Sequence, residues 1–197
     1  MKKLIINNYN ELIIIMISIC LIGVLFLIIP LILKRRKITN ENPKLSELTN
    51  KEINKIDSTL NIEELKKEAF SLYKKTEIAK SKFDYDTLKE LLDTSLYQEE
   101  EQKLKQLKTN NQKIVSTNIK LEDIKILSIQ TKEETSIIDI YMYVSQYDYT
   151  INNKKQVVRG TDESIYQVEY KLTIIKNKDK HFKINKKECT GKWIKNN

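Results

Sequence analysis

The sequence predicts an α+β domain carried behind a single membrane-spanning helix. Three features predict it. An uncharged apolar run lies near the N-terminus, a stretch of helical periodicity with capping residues follows, and the hydrophobic period then changes to two. Helices first and long antiparallel strands afterwards is the order of an α+β fold rather than of alternating α/β units. A bent sheet wrapped around helices makes a cone with either a pocket or a filled inner face.

The apolar run is Leu12–Leu33, LIIIMISICLIGVLFLIIPLIL, without one charged residue. About 20 apolar residues in a helix cross a hydrocarbon core of roughly 30 Å. A cleaved signal peptide has a shorter apolar region and a small-x-small site. This run is longer and ends in Lys34-Arg35-Arg36-Lys37. That basic cluster outweighs Lys2 and Lys3 before the span, so the domain that follows is expected in the cytoplasm of a single-pass cell-membrane protein. Anionic lipid is the expected contact of Lys34, Arg35, Arg36 and Lys37. Residues 38–58 are polar, with Pro43 early, and read as a solvated tether with a weak helical pattern from Leu45 to Ile56. The expected divisions are a tail (1–11), a transmembrane helix (12–33), a basic juxtamembrane linker (34–58) and the domain (59–197).

A helix start is written at Asn61, whose side chain can cap Glu64 while Leu60 and Leu65 form a staple. Ile62, Leu65, Ala69, Leu72, Ala79 and Phe83 follow one stripe, so this helix runs to about Lys82. Asp84 opens a second, shorter helix with Leu88, Leu91 and Leu92 on its apolar face. Ser95 with Gln98 starts a third, which fades near Thr109. Ile119, Leu121, Ile124, Ile126, Leu127 and Ile129 then alternate with phase slips, the mark of a bulged, bent strand. Ile138, Ile140, Met142 and Val144 form one face of the next strand, and Tyr141, Tyr143, Tyr147 and Tyr149 the other. A short Val157–Gly160 piece, a long strand through Tyr166–Ile174 and a returning strand from His181 complete the sheet. Trp193 is expected to close the core.

Net charge is +8, with the densest basic run beside the span, which favours lipid over nucleic acid. Three glycines and two prolines leave no phosphate-binding loop. Cys20 lies in the span, Cys189 far from it, and there is one histidine, so neither a disulfide nor a zinc pattern is expected. No cofactor or metal is expected. His181 with Asp139 or Asp148 is the one acid–base pairing to weigh, and a turn histidine ordinarily faces solvent. The tyrosine row can stack a ligand or pack along the sheet. Arg159 can bind an anion or fix a loop through a carboxylate. Tyr141, Tyr143 and Arg159 are the candidate ligand or partner contacts.

The strings Phe83-Asp84-Tyr85-Asp86, Leu88–Leu92, Val157-Val158-Arg159-Gly160 and Tyr170-Lys171-Leu172-Thr173 resemble the Tim44-like domain family, in particular its bacterial low-G+C Gram-positive members, over about residues 62–177. The resemblance implies an NTF2-like fold, an α+β cone with a curved sheet. Some relatives append a CxxC zinc ribbon, and here only Cys189 stands in the tail. The mitochondrial member's long N-terminal region is also missing, so its motor-tethering role does not carry over.

The expected function is a membrane-anchored, non-enzymatic binding module holding a protein or lipid partner at the inner membrane face. Two alternatives come from other classes. One is a secretion or conjugation channel subunit with its NTF2-like domain outside the cytoplasm. The other is a small-molecule enzyme in the cone.

Overall fold

Asn61 caps the first long helix as its spacing predicts. Its Oδ1 accepts from the N–H groups of Glu63 at 2.9 Å and Glu64 at 3.2 Å. In the computed structural model, which describes residues 47–56, 60–133, 135–177, 179 and 181–195, four helices precede four strands. They are α1 (Asn50–Ile56), α2 (Ile62–Lys82), α3 (Tyr85–Leu91), α4 (Thr94–Thr109), β1 (Gln112–Lys132), β2 (Thr135–Asn152), β3 (Val157–Lys176) and β4 (Phe182–Ile194). The predicted span and Lys34–Lys37 lie outside the described residues. Among the described residues, no helix is long and apolar enough to cross a membrane.

α1 lies where a solvated tether was expected. Thr49 and Glu52 cap it reciprocally, with the Thr49 N–H donating to Glu52 Oε2 at 2.7 Å. Ile53 is fully buried, and the Leu48 N–H donates to Ile126 O on β1 at 2.9 Å. The folded unit therefore begins before residue 59. α2 buries Ile62, Leu65, Ala69, Leu72, Tyr73, Thr76, Glu77 and Ala79. It ends because Phe83 turns left-handed (φ 55°) and donates back to Ala79 and Lys80, so Phe83 is the cap rather than the last residue of the stripe. Asp84 caps α3 through the Thr87 N–H at 3.1 Å. α4 begins at Thr94, earlier than the Ser95–Gln98 pattern suggests. Asp93 occupies the cap position without a side-chain cap bond. It turns toward β4, where its N–H donates to Ile184 O at 2.9 Å.

The sheet is antiparallel in the order β1-β2-β3-β4. β1 is bulged at three places against β2, as its phase slips predict, and β3 runs unbroken from Val157 where two pieces were expected. One sheet face carries Ile138, Ile140, Met142, Val144, Val168, Leu172, Ile174 and Ile184 into a single core with Leu65, Leu72, Leu88 and Leu104 of the helices. This is the inner face, and each such side chain contributes about 1.5–3 kcal/mol by leaving water. Trp193 departs from expectation. It pairs with Gln167 on the outer face and is 41% exposed, its ring stacked on Tyr143 at 5.9 Å and its N–H donating to Gln167 at 2.8 Å. The core closes on Ile184 and Leu92 instead, which form an isolated parallel bridge between β4 and the end of α3.

Asn61→Ala removes the α2 cap and is expected to cost about 1 kcal/mol in urea denaturation. An unchanged midpoint would mean water replaces the cap without loss.

Candidate functional site

Beyond Val144 the inner face of β2 stops being apolar. Gln146, Asp148 and Thr150 take the positions that Ile138–Val144 held lower down. Between this stretch, α2, α4 and the neighbouring strands lies a cavity of about 380 Å³. α2 supplies Glu77 and Lys80, β2 Asp148 and Thr150, β3 Arg159, Tyr166 and Tyr170, and β4 Lys187 and Lys192.

Its floor is an ion cluster. Glu77, 4% exposed, accepts from Lys187 Nζ at 2.5 Å and from Lys80 Nζ at 3.5 Å. Lys80 also reaches Glu100 of α4 at 2.9 Å. Lys187 lies over the rings of Tyr73 and Tyr170, 4.7 and 4.5 Å from their centroids. The Tyr73 hydroxyl donates to Gln146 at 2.8 Å. Nearer the rim, Lys192 pairs with Asp148 and sits 4.3 Å over the Tyr166 ring.

The electrostatics follow from sharing. Burial alone raises the Glu77 carboxyl, but Lys187 and Lys80 outweigh it and hold it at about 2. Burial opposes the charge on Lys80, yet Glu77 and Glu100 outweigh burial and raise it. Lys187 goes the other way, lowered by burial and by Lys80, with Glu77 opposing. The two lysines diverge because Lys80 has Glu100 as well as Glu77, while Lys187 is paired with Glu77 and sits near the charge of Lys80.

The sequence-predicted contacts separate. Arg159 stands exposed on the rim of the cavity, and among the described residues its guanidinium has no hydrogen-bond or ion-pair partner. Tyr141 and Tyr143 are on the outer face. The Tyr141 hydroxyl donates to Glu169 at 2.8 Å, and Tyr143 stacks on Trp193. Burial, with Glu169 next, raises the Tyr141 hydroxyl. His181, Asp139 and Asp148 are used separately. His181 lines a different cleft with Asp86 and Lys89, and Asp139 accepts from Ser128 at 2.9 Å and Thr173 at 2.8 Å. Among the described residues no cluster of three or more His, Cys, Asp or Glu could hold a metal.

Glu77, Lys187, Lys192 and Tyr166 were not singled out from sequence. The signal was there for Glu77, a carboxylate four residues after Tyr73 on the buried stripe of α2.

The Tim44-like domain family model matches residues 46–193. The chain belongs to this family. The match begins ahead of α1, in keeping with Ile53 in the core. Among solved structures the Tim44-like domain is similar to the intermembrane space region of the chloroplast protein ARC6. Identity is 11%, 63% of this chain and 95% of that chain are covered, and the TM-score is 0.44. No curated protein matches.

Proposed function

We propose that this Tim44-like protein is a membrane-anchored, non-enzymatic binding module. Residues 12–33 anchor it, Lys34–Lys37 rest on anionic headgroups, and an NTF2-like cone at the inner membrane face receives a protein or lipid partner in the Glu77–Lys187 cavity. The observation that carries this reading is a preformed cavity whose buried floor is fixed by ion pairs while its rim presents an arginine with no partner among the described residues. Its buried titratable groups neutralise one another, an arrangement suited to holding a ligand rather than transferring its protons.

Cys189 is exposed, so it reports topology directly. In a Cys20→Ser background, an impermeant maleimide is expected to label Cys189 only after cells are opened. Labelling in intact cells would place the domain outside and raise the channel-subunit reading.

Partner contact is tested with a photo-crosslinking phenylalanine analogue replacing Tyr166 in the cavity or Tyr143 on the outer face, in intact membranes. A discrete protein or lipid adduct is expected at 166 and not at 143. Adducts at 143 alone, or none at either position, would overturn the cavity as the binding site.

A further inference from the structure

Two features meet at the cavity rim. The first is an unpaired sheet edge. β4 pairs with β3 from Lys176 back to Tyr166, and the last bond is from the Lys195 N–H to Ile165 O at 2.8 Å. Toward Val157, β3 continues paired with β2 alone. Among the described residues nothing pairs with its other side. Alternate residues of a strand aim N–H and C=O away from their neighbour, so this stretch presents free ladder groups. Val157 and Val158 stand 36% and 46% exposed on it, apolar side chains on an edge with no cover among the described residues.

The second feature is charge. Arg159 lies on this same edge and lines the cavity, and it has no partner among the described residues. Lys192, at the end of β4, lines the cavity too. A strand added beside Val157–Thr161 would run on from the end of β4, about 4.8 Å from β3. Every second side chain of it would face inward, beside Arg159 and toward Lys192. Of the four cations that line the cavity, Lys80, Lys187 and Lys192 are held by Glu77, Glu100 and Asp148, which leaves Arg159 uncompensated among the described residues. An inward carboxylate is the complementary group, and a guanidinium grips one through two parallel hydrogen bonds.

Resting on the binding-module reading, we infer that the partner is a protein that donates an extended, acidic segment, which adds a strand to the free edge of β3 at Val157–Thr161 and places a carboxylate against Arg159 at the cavity rim. A lipid headgroup would satisfy the cations and leave the edge groups bare. A peptide backbone satisfies both, the main chain giving affinity and the inward side chain giving specificity.

The test uses the full chain in phosphatidylcholine nanodiscs. The probe is a fluorescein-labelled decapeptide of alternating valine and threonine with two inward-phase glutamates. A second peptide has glutamine at those two places. Fluorescence anisotropy is expected to show the glutamate peptide binding at least tenfold more tightly at low salt. Arg159→Gln should erase that tenfold difference, and Arg159→Lys should keep part of it. Because Arg159 is exposed, both variants should melt as the parent does. Amide hydrogen exchange at Val157–Thr161 should slow when the peptide binds.

Equal affinity for the two peptides overturns the inference, as does binding without slowed exchange on that stretch. So does protection of those amides in the peptide-free protein, which would mean the chain covers its own edge. Phosphatidylglycerol in the nanodisc that changes exchange at the cavity, with no peptide binding, would leave the binding module standing and remove the peptide. Silence from both probes would remove both.

Discussion

Glu77→Ala is expected to destabilise the domain by about 3–5 kcal/mol, the cost of breaking a buried ion pair from one side. The substitution deletes the carboxylate shared by Lys187 at 2.5 Å and Lys80 at 3.5 Å. Lys80 keeps Glu100, so Lys187 is the stranded group, held over two tyrosine rings with burial already opposing its charge. Combining Glu77→Ala with Lys187→Met should recover much of the loss, because the uncompensated charge leaves with its partner. Urea denaturation of the two single variants and the double variant checks this as a cycle. Additive losses would show that the lysine reaches water and that the cluster contributes little.

The same carboxylate gives a pH signature. Its folded value of about 2 lies below the ordinary 4.5, so its contribution is fully present above 4.5 and is lost as pH falls toward 2. Lys80, whose own value is raised, remains protonated throughout that window and adds no slope. Glu100 and Asp84 are also lowered, the first by Lys80 and Lys103 against its burial and the second by its bonds to Thr87. They titrate nearby, so the diagnostic quantity is the difference between the parent and Glu77→Gln. That difference should shrink as pH falls from 4.5 to 2. A difference that does not depend on pH would mean Glu77 is not ionised in the fold.

How far the sequence reveals this arrangement depends on whether local periodicity survives to the site. The caps at Asn61 and Asp84 are local chemistry, and both helices start where those residues stand. The alternation in Ile138–Val144 continues without a slip through Gln146, Asp148 and Thr150. The change from apolar to polar on one unbroken phase therefore marked the cavity wall in advance. β4 differs. Counting by twos from buried Ile184 sends Lys186 and Glu188 inward and Lys187 outward. The pairing of Ile174 with Ile184 but Thr173 with Lys186 leaves Asn185 as an extra residue, and this bulge swaps the phase. Lys187 thereby joins the core side and becomes half of the ion cluster. A second extra residue, Thr190, shifts the phase again and brings Lys192 inward beside Val168. The first bulge has no glycine or proline to announce it, and the second has Gly191 beside Thr190. Trp193 misled for another reason: a large aromatic near a strand end suggests core, and here Tyr143 and Gln167 give its ring and N–H partners on the outer face. The helix α1 was obscured by composition, since Ile53 enters the core from among polar and exposed neighbours.

Gly160→Val is the second large effect, expected at about 2–4 kcal/mol from backbone strain together with overpacking. Gly160 sits at φ +77°, and a Cβ there would meet Asp148 O at 2.7 Å and Tyr149 Cα at 3.1 Å. Both are backbone atoms of the paired strand, so no side chain can rotate away, and β2 and β3 must part at the cavity rim. Gly160→Ala should lose less, and Gly160→Asn separates the two causes. Asparagine carries the same Cβ yet tolerates positive φ, so an asparagine variant as weak as the alanine one assigns the loss to the collision. Recovery toward the parent assigns it to strain. The functional consequence is distinct from the loss of stability. Moving Asp148 uncouples it from Lys192, and the free edge of β3 moves with Gly160 itself. At a temperature where Gly160→Ala and Asn61→Ala are both fully folded, the glycine variant should lose the adduct at position 166 while the cap variant keeps it. Loss of the adduct in both would mean the cavity merely reports global stability, and retention in both would mean the rim geometry around Gly160 does not shape the binding site.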